Sequence, residues 1–254
     1  MKNDNIKVVI LAAGYGKRMQ SELVKVLIPF HGKPLVAHVL DTVKESGICD
    51  RPVVVVGQQR ELVMNTLGSS YDYAVQEEQL GTGHAVMSTE SLLKDKTENI
   101  MVLYGDSPFI SAKTIQKLNQ KHQETGAKIT MATIQLPDFN DWRSAFYTSF
   151  SRIVRDENSK IIKDVQFRDA SEEEKQITEV NPCYFVFNGQ WLWEKLKTLE
   201  ANNDQKQHYL TDLVKIAMEE GERIETVNIG APEGLAVNSK EELEIVKKFS
   251  KENF

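Results

Sequence analysis

The chain has 254 residues, a hydrophobic fraction of 41% and a net charge of −6 from 31 basic and 37 acidic side chains. That is enough for one large α/β domain or two small ones with an ordinary core, and the absent basic excess argues against nucleic acid as a partner. No apolar run is long enough to span a bilayer, and Cys49 and Cys183 form neither a disulfide framework nor a CxxC pair, so a soluble cytoplasmic protein without membrane contact is expected.

The opening, MKNDNIKVVILAAG, lacks the long apolar stretch and small-residue cleavage site of a secretory signal. Residues 6–12 (IKVVILA) are instead a continuous apolar run, the pattern of a strand covered on both faces. Leu35, Val36, Val39, Leu40 and Val43 recur at helical spacing within 34–45. A strand at 52–57, a short helix at 59–67, a short strand at 73–76 and a helix at 81–93 follow. A core strand at 99–104 (NIMVLY) and a helix at 111–124 complete a β-α alternation that predicts a Rossmann-like doubly wound α/β sheet.

From Lys128 the pattern changes to smaller antiparallel pieces. A strand is expected at 129–136, then a hairpin over 152–167 turning at Asp156, Glu157, Asn158 and Ser159. A polar stretch covers 168–178, and a strand is expected at 180–188 (VNPCYFVFN). Helices at 191–199 and 209–219, a strand at 224–229 and a helix from about Ser239 close the chain. Ser239 and Glu242 have capping-box spacing, and no short-period repeat occurs.

The chemistry concentrates at loop positions. In LAAGYGKRM, Ala12, Ala13, Gly14 and Gly16 leave a nearly bare backbone at the carboxyl end of the first strand, where ligands of open α/β sheets bind. The same glycines also suit a plain strand-to-helix turn. Met19 stands where a dinucleotide fingerprint needs its third glycine, and no Walker A Gly-Lys-Ser/Thr is present. Arg18 and Lys25 bracket the loop with two cations suited to a triphosphate and a pyrophosphate leaving group, although either alone reads as a solvated charge. Asp106, just after the strand at 99–104, points to the same sheet edge and suits a hard divalent cation, or a turn. The histidines at 31, 38, 84, 122 and 208 lack metal-site spacing, and no Ser-His-Asp or Cys-His nucleophile is indicated.

LAAGYGKRMQSELVKVLIPFHGKPL resembles the signature of sugar-nucleotide pyrophosphorylases, LxxGxGxRM followed by KxL. QEEQLGTGHAV, VLYGDSP, SRIVRD, DASEEEKQITEVN, NNDQKQHYLTD and a late Val237-Asn238 follow in the order seen in the uridylyltransferase domain of bifunctional N-acetylglucosamine-1-phosphate uridylyltransferases. The resemblance spans nearly the whole chain. It implies a single nucleotidyltransferase domain over 1–254, with a nucleotide-binding half at 1–127, a sugar-binding half at 128–238 and a terminal helix at 239–254.

It also implies roles. Leu11, Ala12, Ala13 and Gly14 would contact the nucleotide through backbone groups, with Gly81 and Thr82 beside it and Gln76 reading a uracil edge. Tyr104, Gly105, Ser151, Gln166, Asn181 and Thr211 would line the sugar side. Asp106 and Asn238 would hold Mg²⁺, and Arg18 and Lys25 would neutralise charge while an oxygen of a sugar 1-phosphate attacks the α-phosphorus of UTP. Alone, Gln76 reads as an exposed strand end, Gly81-Thr82 as a helix start and Asn238 as a neighbour of the final helix cap.

Departures from the family gather on the sugar side. Ser151 replaces the usual glycine before RIV, Gln166 a glutamate, Pro182 and Cys183 a Thr-Gly pair, and Lys206 and Gln207 a Gly-Glu pair. Val24 replaces the proline before Lys25. N-acetylglucosamine 1-phosphate is therefore the first expectation for the acceptor, with another hexose or hexosamine phosphate as the alternative. A different base, or a non-catalytic UDP-sugar-binding regulator, are the other readings. No β-helix repeats follow, so acetyl transfer and its trimer are expected to be absent, in a free-standing enzyme or a piece of a longer one. A monomer or small homo-oligomer is expected.

Overall fold

The computed structural model describes residues 5–19, 21–201 and 206–253; the start of the NNDQKQHYLTD segment lies outside the described residues. The first half is a β-α alternation: β1 (Ile6–Leu11), a small hairpin of β2 (Pro29–Phe30) and β3 (Lys33–Pro34), α1 (Leu35–Ser46), β4 (Val53–Val56), α2 (Arg60–Leu67) and β5 (Asp72–Val75). Then come α3 (Thr82–Met87), α4 (Glu90–Leu93), β6 (Asn99–Tyr104) and α5 (Ala112–Thr125). β7 (Ile129–Gln135), β8 (Ser151–Arg155), β9 (Ile161–Val165), α6 (Glu172–Lys175), β10 (Glu179–Asn181) and β11 (Phe185–Asn188) open the second half. α7 (Gly189–Leu196), α8 (Asp212–Glu219), β12 (Ile224–Asn228) and α9 (Lys240–Asn253) complete it.

One sheet runs β5-β4-β1-β6-β11-β7-β10-β8-β9, with β12 on β7. β5, β4, β1 and β6 are parallel, while β11 runs antiparallel to β6 and β7. The apolar run at β1 is divided by strand alternation. Val8 and Ile10 enter the core under α1, α5 and α9, whereas Val9 and Leu11 enter the core under α3, α7 and α8. Both faces of β1 are therefore covered, and each fully buried aliphatic side chain there contributes about 1.5–3 kcal/mol.

The strand expected at 180–188 is interrupted. Ala132 of β7 and Leu136 just beyond it donate N–H bonds to the Tyr184 and Thr178 carbonyls, so β11 and β10 occupy the same edge of β7 in succession. Between them Pro182 has no N–H to give the ladder, and Cys183 turns into the left-handed region at φ 64°. The Asn181 side chain accepts the Cys183 N–H at 2.7 Å and holds the bend. β11 pairs with β6 and β10 pairs with β8, so the sheet forks at this break.

Two other expectations change in detail. The helix at 81–93 is split into α3 and α4, where the Ser88 and Thr89 hydroxyls bond back to Ala85 and Val86 carbonyls and the chain turns. At α9, Ser239 accepts the Glu242 N–H at 3.2 Å, but the Glu242 carboxylate takes the N–H of Asn238 at 2.5 Å and the Ser149 hydroxyl at 2.8 Å. The cap thereby fixes the residue ahead of the helix as well as the helix itself.

Candidate functional site

The loops after β1, β4, β5 and β6 meet at the carboxyl edge of the parallel strands. Gly14 has nothing within 4 Å of where a Cβ would stand, so the bend borders open space there, while Leu11, Ala12 and Ala13 before it are buried. Gly16 sits at φ 63°, and a Cβ there would lie 2.8 Å from the Lys25 Cβ. The bend is therefore packed against the residue that carries the amine. Val24 holds φ −58° and ψ 142°, the backbone proline itself would adopt, which explains why valine serves in proline's place. Buried Val26 and Leu27 then anchor the turn that begins at Lys25.

Lys25 donates from Nζ to Asp106 Oδ2 and, at 2.8 Å, to Asn238 Oδ1. Residues far apart in sequence thus converge on one ammonium group. Asp106 is 5% exposed, and its backbone carbonyl accepts the Val237 N–H at 3.0 Å, which clamps the 237–238 segment to the loop after β6. Glu242 fixes Asn238 from the other side. Gly105 donates its N–H to Leu11 O at 3.0 Å, joining that loop to β1.

Arg18 is exposed on a short turn and makes no hydrogen bond or ion pair among the described residues. Gln76 is 4% exposed at the end of β5, not an exposed strand end. Its amide nitrogen donates to Gly81 O at 2.9 Å and lies 3.2 Å from His84 Nδ1, so only its carbonyl oxygen is left for another contact. Thr82 accepts the Leu210 N–H at 2.9 Å, and Gly83 donates to His208 O at 2.8 Å. The start of α3 is closed by the 208–210 backbone, and a Cβ on Gly81 would strike His208 O at 2.6 Å.

In the second half of the chain, where sugar contacts are expected, Ser151 and Asn181 face each other across the β8–β10 ladder and are 2% and 0% exposed. Asn181 donates to Asp164 Oδ2 at 2.7 Å while its oxygen accepts the Cys183 N–H. Gln166 donates to the Thr211 hydroxyl at 3.1 Å. Asp164 lies on β9, and Gln166 follows directly after that strand ends at Val165. Burial lifts the Asp164 carboxyl to about 6, the neighbouring Ser151 and Asn181 side chains pull it down, and Asp212 adds to the rise. Burial also raises the Cys183 thiol, helped by the charges of the Asp164 and Asp106 carboxylates. The Tyr104 phenol is held well above its ordinary range by burial first, then by Cys183, with the Thr82 hydroxyl opposing.

Residues 8–213 match the MobA-like NTP transferase domain. The chain belongs to this NTP transferase family. It is similar to the bifunctional protein GlmU of Exiguobacterium sibiricum, 44% identical over 85% of this chain and 46% of the relative. GlmU of Brevibacillus brevis is 40% identical over 97% of this chain and 52% of the relative. The chain thus spans about half the length of these curated relatives. In fold it resembles the inositol-1-phosphate CTP transferase from T. maritima, with a TM-score of 0.72, 19% identity and coverage of 99% and 98% of the two chains.

For this NTP transferase, sequence reasoning named Lys25, Asp106 and Asn238, which the structure brings into contact, and Arg18, which it leaves apart. Asp164 and Glu242 were not named. Asp164 is signalled only as an acid near the end of IIKDV; Glu242 is visible only as a cap. A depression of about 1170 Å³ lies elsewhere, beside Asn5, Glu98, Asn99, His122 and Trp193. His122 there bonds Thr130 and Asn99, and burial lowers its pKa to about 4. None of the nucleotide-loop or sugar-side residues lines that depression. No helix among the described residues is long and apolar enough to cross a membrane.

Proposed function

We propose that this NTP transferase uses Mg²⁺, UTP and a sugar 1-phosphate to make a UDP-sugar and pyrophosphate, with N-acetylglucosamine 1-phosphate as the first acceptor to test. The observation that carries the reading is the convergence of Asp106, Asn238 and Lys25 beside an open glycine bend. The GlmU relatives support the choice of base and sugar.

The donor set suits magnesium. One carboxylate and one amide oxygen reach a single positive centre, at present the Lys25 ammonium, so both can address one hard cation. Among the described residues no cluster of three or more His, Cys, Asp or Glu could hold a metal ion. A cation that keeps most of its shell as water and phosphate oxygen fits such a sparse set. Bound there, Mg²⁺ would neutralise phosphate charge and favour departure of pyrophosphate.

The protein's own part is positioning. The backbone from Leu11 to Gly14 borders the space for the nucleotide, and Gln76 offers its carbonyl oxygen toward the base, with Gly81 and Thr82 beside it. Lys25 exchanges its carboxylate partner for phosphate oxygens, and Arg18, unengaged and exposed, turns inward on the triphosphate. Tyr104, Gly105, Gln166 and Thr211 surround the acceptor, with Ser151 and Asn181 beneath it. In-line attack by the acceptor phosphate needs no covalent enzyme intermediate.

The test is pyrophosphate release with each NTP and a panel of sugar 1-phosphates, with and without Mg²⁺. Turnover with UTP and Mg²⁺, strongest for N-acetylglucosamine 1-phosphate, is the expected result. Turnover only with CTP or dTTP would overturn the base, and UDP-sugar binding without turnover for any acceptor would overturn catalysis.

A further inference from the structure

Asn238 is half-buried at the end of the segment that follows β12, and a series of holds runs along that segment. The Tyr184 hydroxyl donates to Glu233 O at 2.7 Å, and the Ser111 N–H donates to Glu233 Oε2 at 2.9 Å. Val237 is fully buried and gives its N–H to Asp106 O at 3.0 Å. The last hold is Glu242, whose Oε2 accepts the Asn238 N–H at 2.5 Å while Oε1 accepts the Ser149 hydroxyl at 2.8 Å. A glutamate at the third position of a helix ordinarily returns to the N–H of the capping residue, here Ser239. Glu242 reaches one residue further back. It is only 8% exposed, so a carboxylate is withdrawn from water for two bonds that lie outside the helix.

We propose that Glu242 is a positioning residue for the metal ligand Asn238: by gripping the Asn238 backbone and the Ser149 hydroxyl, it fixes the Asn238 side-chain oxygen relative to Asp106 and so sets how tightly a divalent cation is held. The inference rests on the Mg²⁺-dependent reading above. Both oxygens of Glu242 are engaged by the protein, so it acts through Asn238 and not on the cation. With one carboxylate and one amide oxygen as the whole protein donor set, looseness in either is felt directly, and groups that orient ligands from behind govern metal affinity. Asn238 is held from two ends, its backbone by Glu242 and its side-chain oxygen by Lys25 Nζ. When the amine moves onto phosphate, the hold from Glu242 is the one that stays. Ser149 stands two residues before the start of β8, so the same carboxylate ties the second half of the chain to the metal segment.

The experiment is a Mn²⁺ titration followed by electron paramagnetic resonance, with UTP present and no acceptor, so that turnover plays no part. Glu242→Ala is expected to weaken Mn²⁺ binding about 10- to 100-fold, with UTP binding in EDTA unchanged. Glu242→Gln should restore affinity close to wild type, because its amide oxygen can accept the Asn238 N–H and its nitrogen can donate to Ser149. Ser239→Ala removes the helix cap alone; it should lower Tm and leave Mn²⁺ affinity as in wild type. Should circular dichroism show Glu242→Ala unfolded, Ser149→Ala takes its place, with an expected weakening of about 2- to 10-fold for one lost hydrogen bond. Wild-type affinity in the folded variant, or a loss in Ser239→Ala equal to that in Glu242→Ala, would overturn the proposal and leave the magnesium reading standing. A wild type that binds no Mn²⁺ with UTP, or Asn238→Ala binding it unchanged, would end that reading as well.

Discussion

Beside β1 and β6 the chain presents a glycine bend, an exposed arginine and a lysine shared by a carboxylate and an amide oxygen. At the β8–β10 side it presents side chains already tied to one another across three strands. On the proposed reading, the first region admits a highly charged ligand that brings its own counter-ion, and its groups move onto phosphate. The second would tell one neutral ring from another, and pre-arranged acceptors do that better than mobile charges. On that reading chemistry and selectivity are separable.

Removing the pivotal carboxylate should show the separation most strongly. Asp106→Ala is expected to lower kcat by about 10³-fold or more, some 4 kcal/mol of transition-state stabilisation, with the ranking of acceptors unchanged where activity is measurable. Altered ranking would mean that the two sides are coupled. Arg152 tests the other region as a structural unit. It is fully buried, donates to the carbonyls of Phe150, Tyr147 and Lys175, and lies 4.7 Å from the Phe139 ring. Arg152→Met should cost about 3 kcal/mol in urea unfolding, because three carbonyls lose their donor. A cost below about 1 kcal/mol would show that these strands are not held by that network.

Acid titration separates two buried groups. Burial takes His122 from 6.5 to about 4, so the neutral ring supports the fold above pH 6.5 and that support is lost as pH falls through 4. Unfolding free energy should drop by about 2–3 kcal/mol across that window, and His122→Gln should flatten the drop. Asp164 has the opposite sign: its carboxyl rises from 3.8 to about 6, so its contribution is full below 3.8 and gone above 6. Asp164→Asn should therefore be more stable than wild type at pH 8 by about 1–2 kcal/mol, less than the full shift implies because the residue is partly exposed, with the gain fading below pH 5. Smallest is Val24→Pro, expected to add about 0.5–1 kcal/mol with activity unchanged, since the native φ already suits proline.

The same contrast governs what could be read from residue order alone. The apolar runs at β1, β4 and β6 specify their own burial, and Lys25 and Asp106 stand in short contiguous motifs, so local pattern was sufficient for both. The break at 182–184 was hidden because VNPCYFVFN keeps strand composition throughout, and the left-handed turn falls on a cysteine, not a glycine. The burial of Asn181 and the pairing of Asp164 depend on register across β10, β8 and β9, which no single segment encodes. Gln76 was missed as a buried group for a similar reason: its partners, Gly81 and His84, lie on the loop and helix that fold back over it.

The touch between Gly16 and Lys25 limits how a protein of this design can diversify. No side chain fits at position 16, and the backbone angle there belongs to glycine, so the bend and the amine it supports shift as one rigid piece. Lengthening or decorating that bend would carry the amine off its oxygens and, on the proposed reading, silence the reaction. New preferences have to be written on the distant strands, one exchange at a time, while the reacting end stays unaltered.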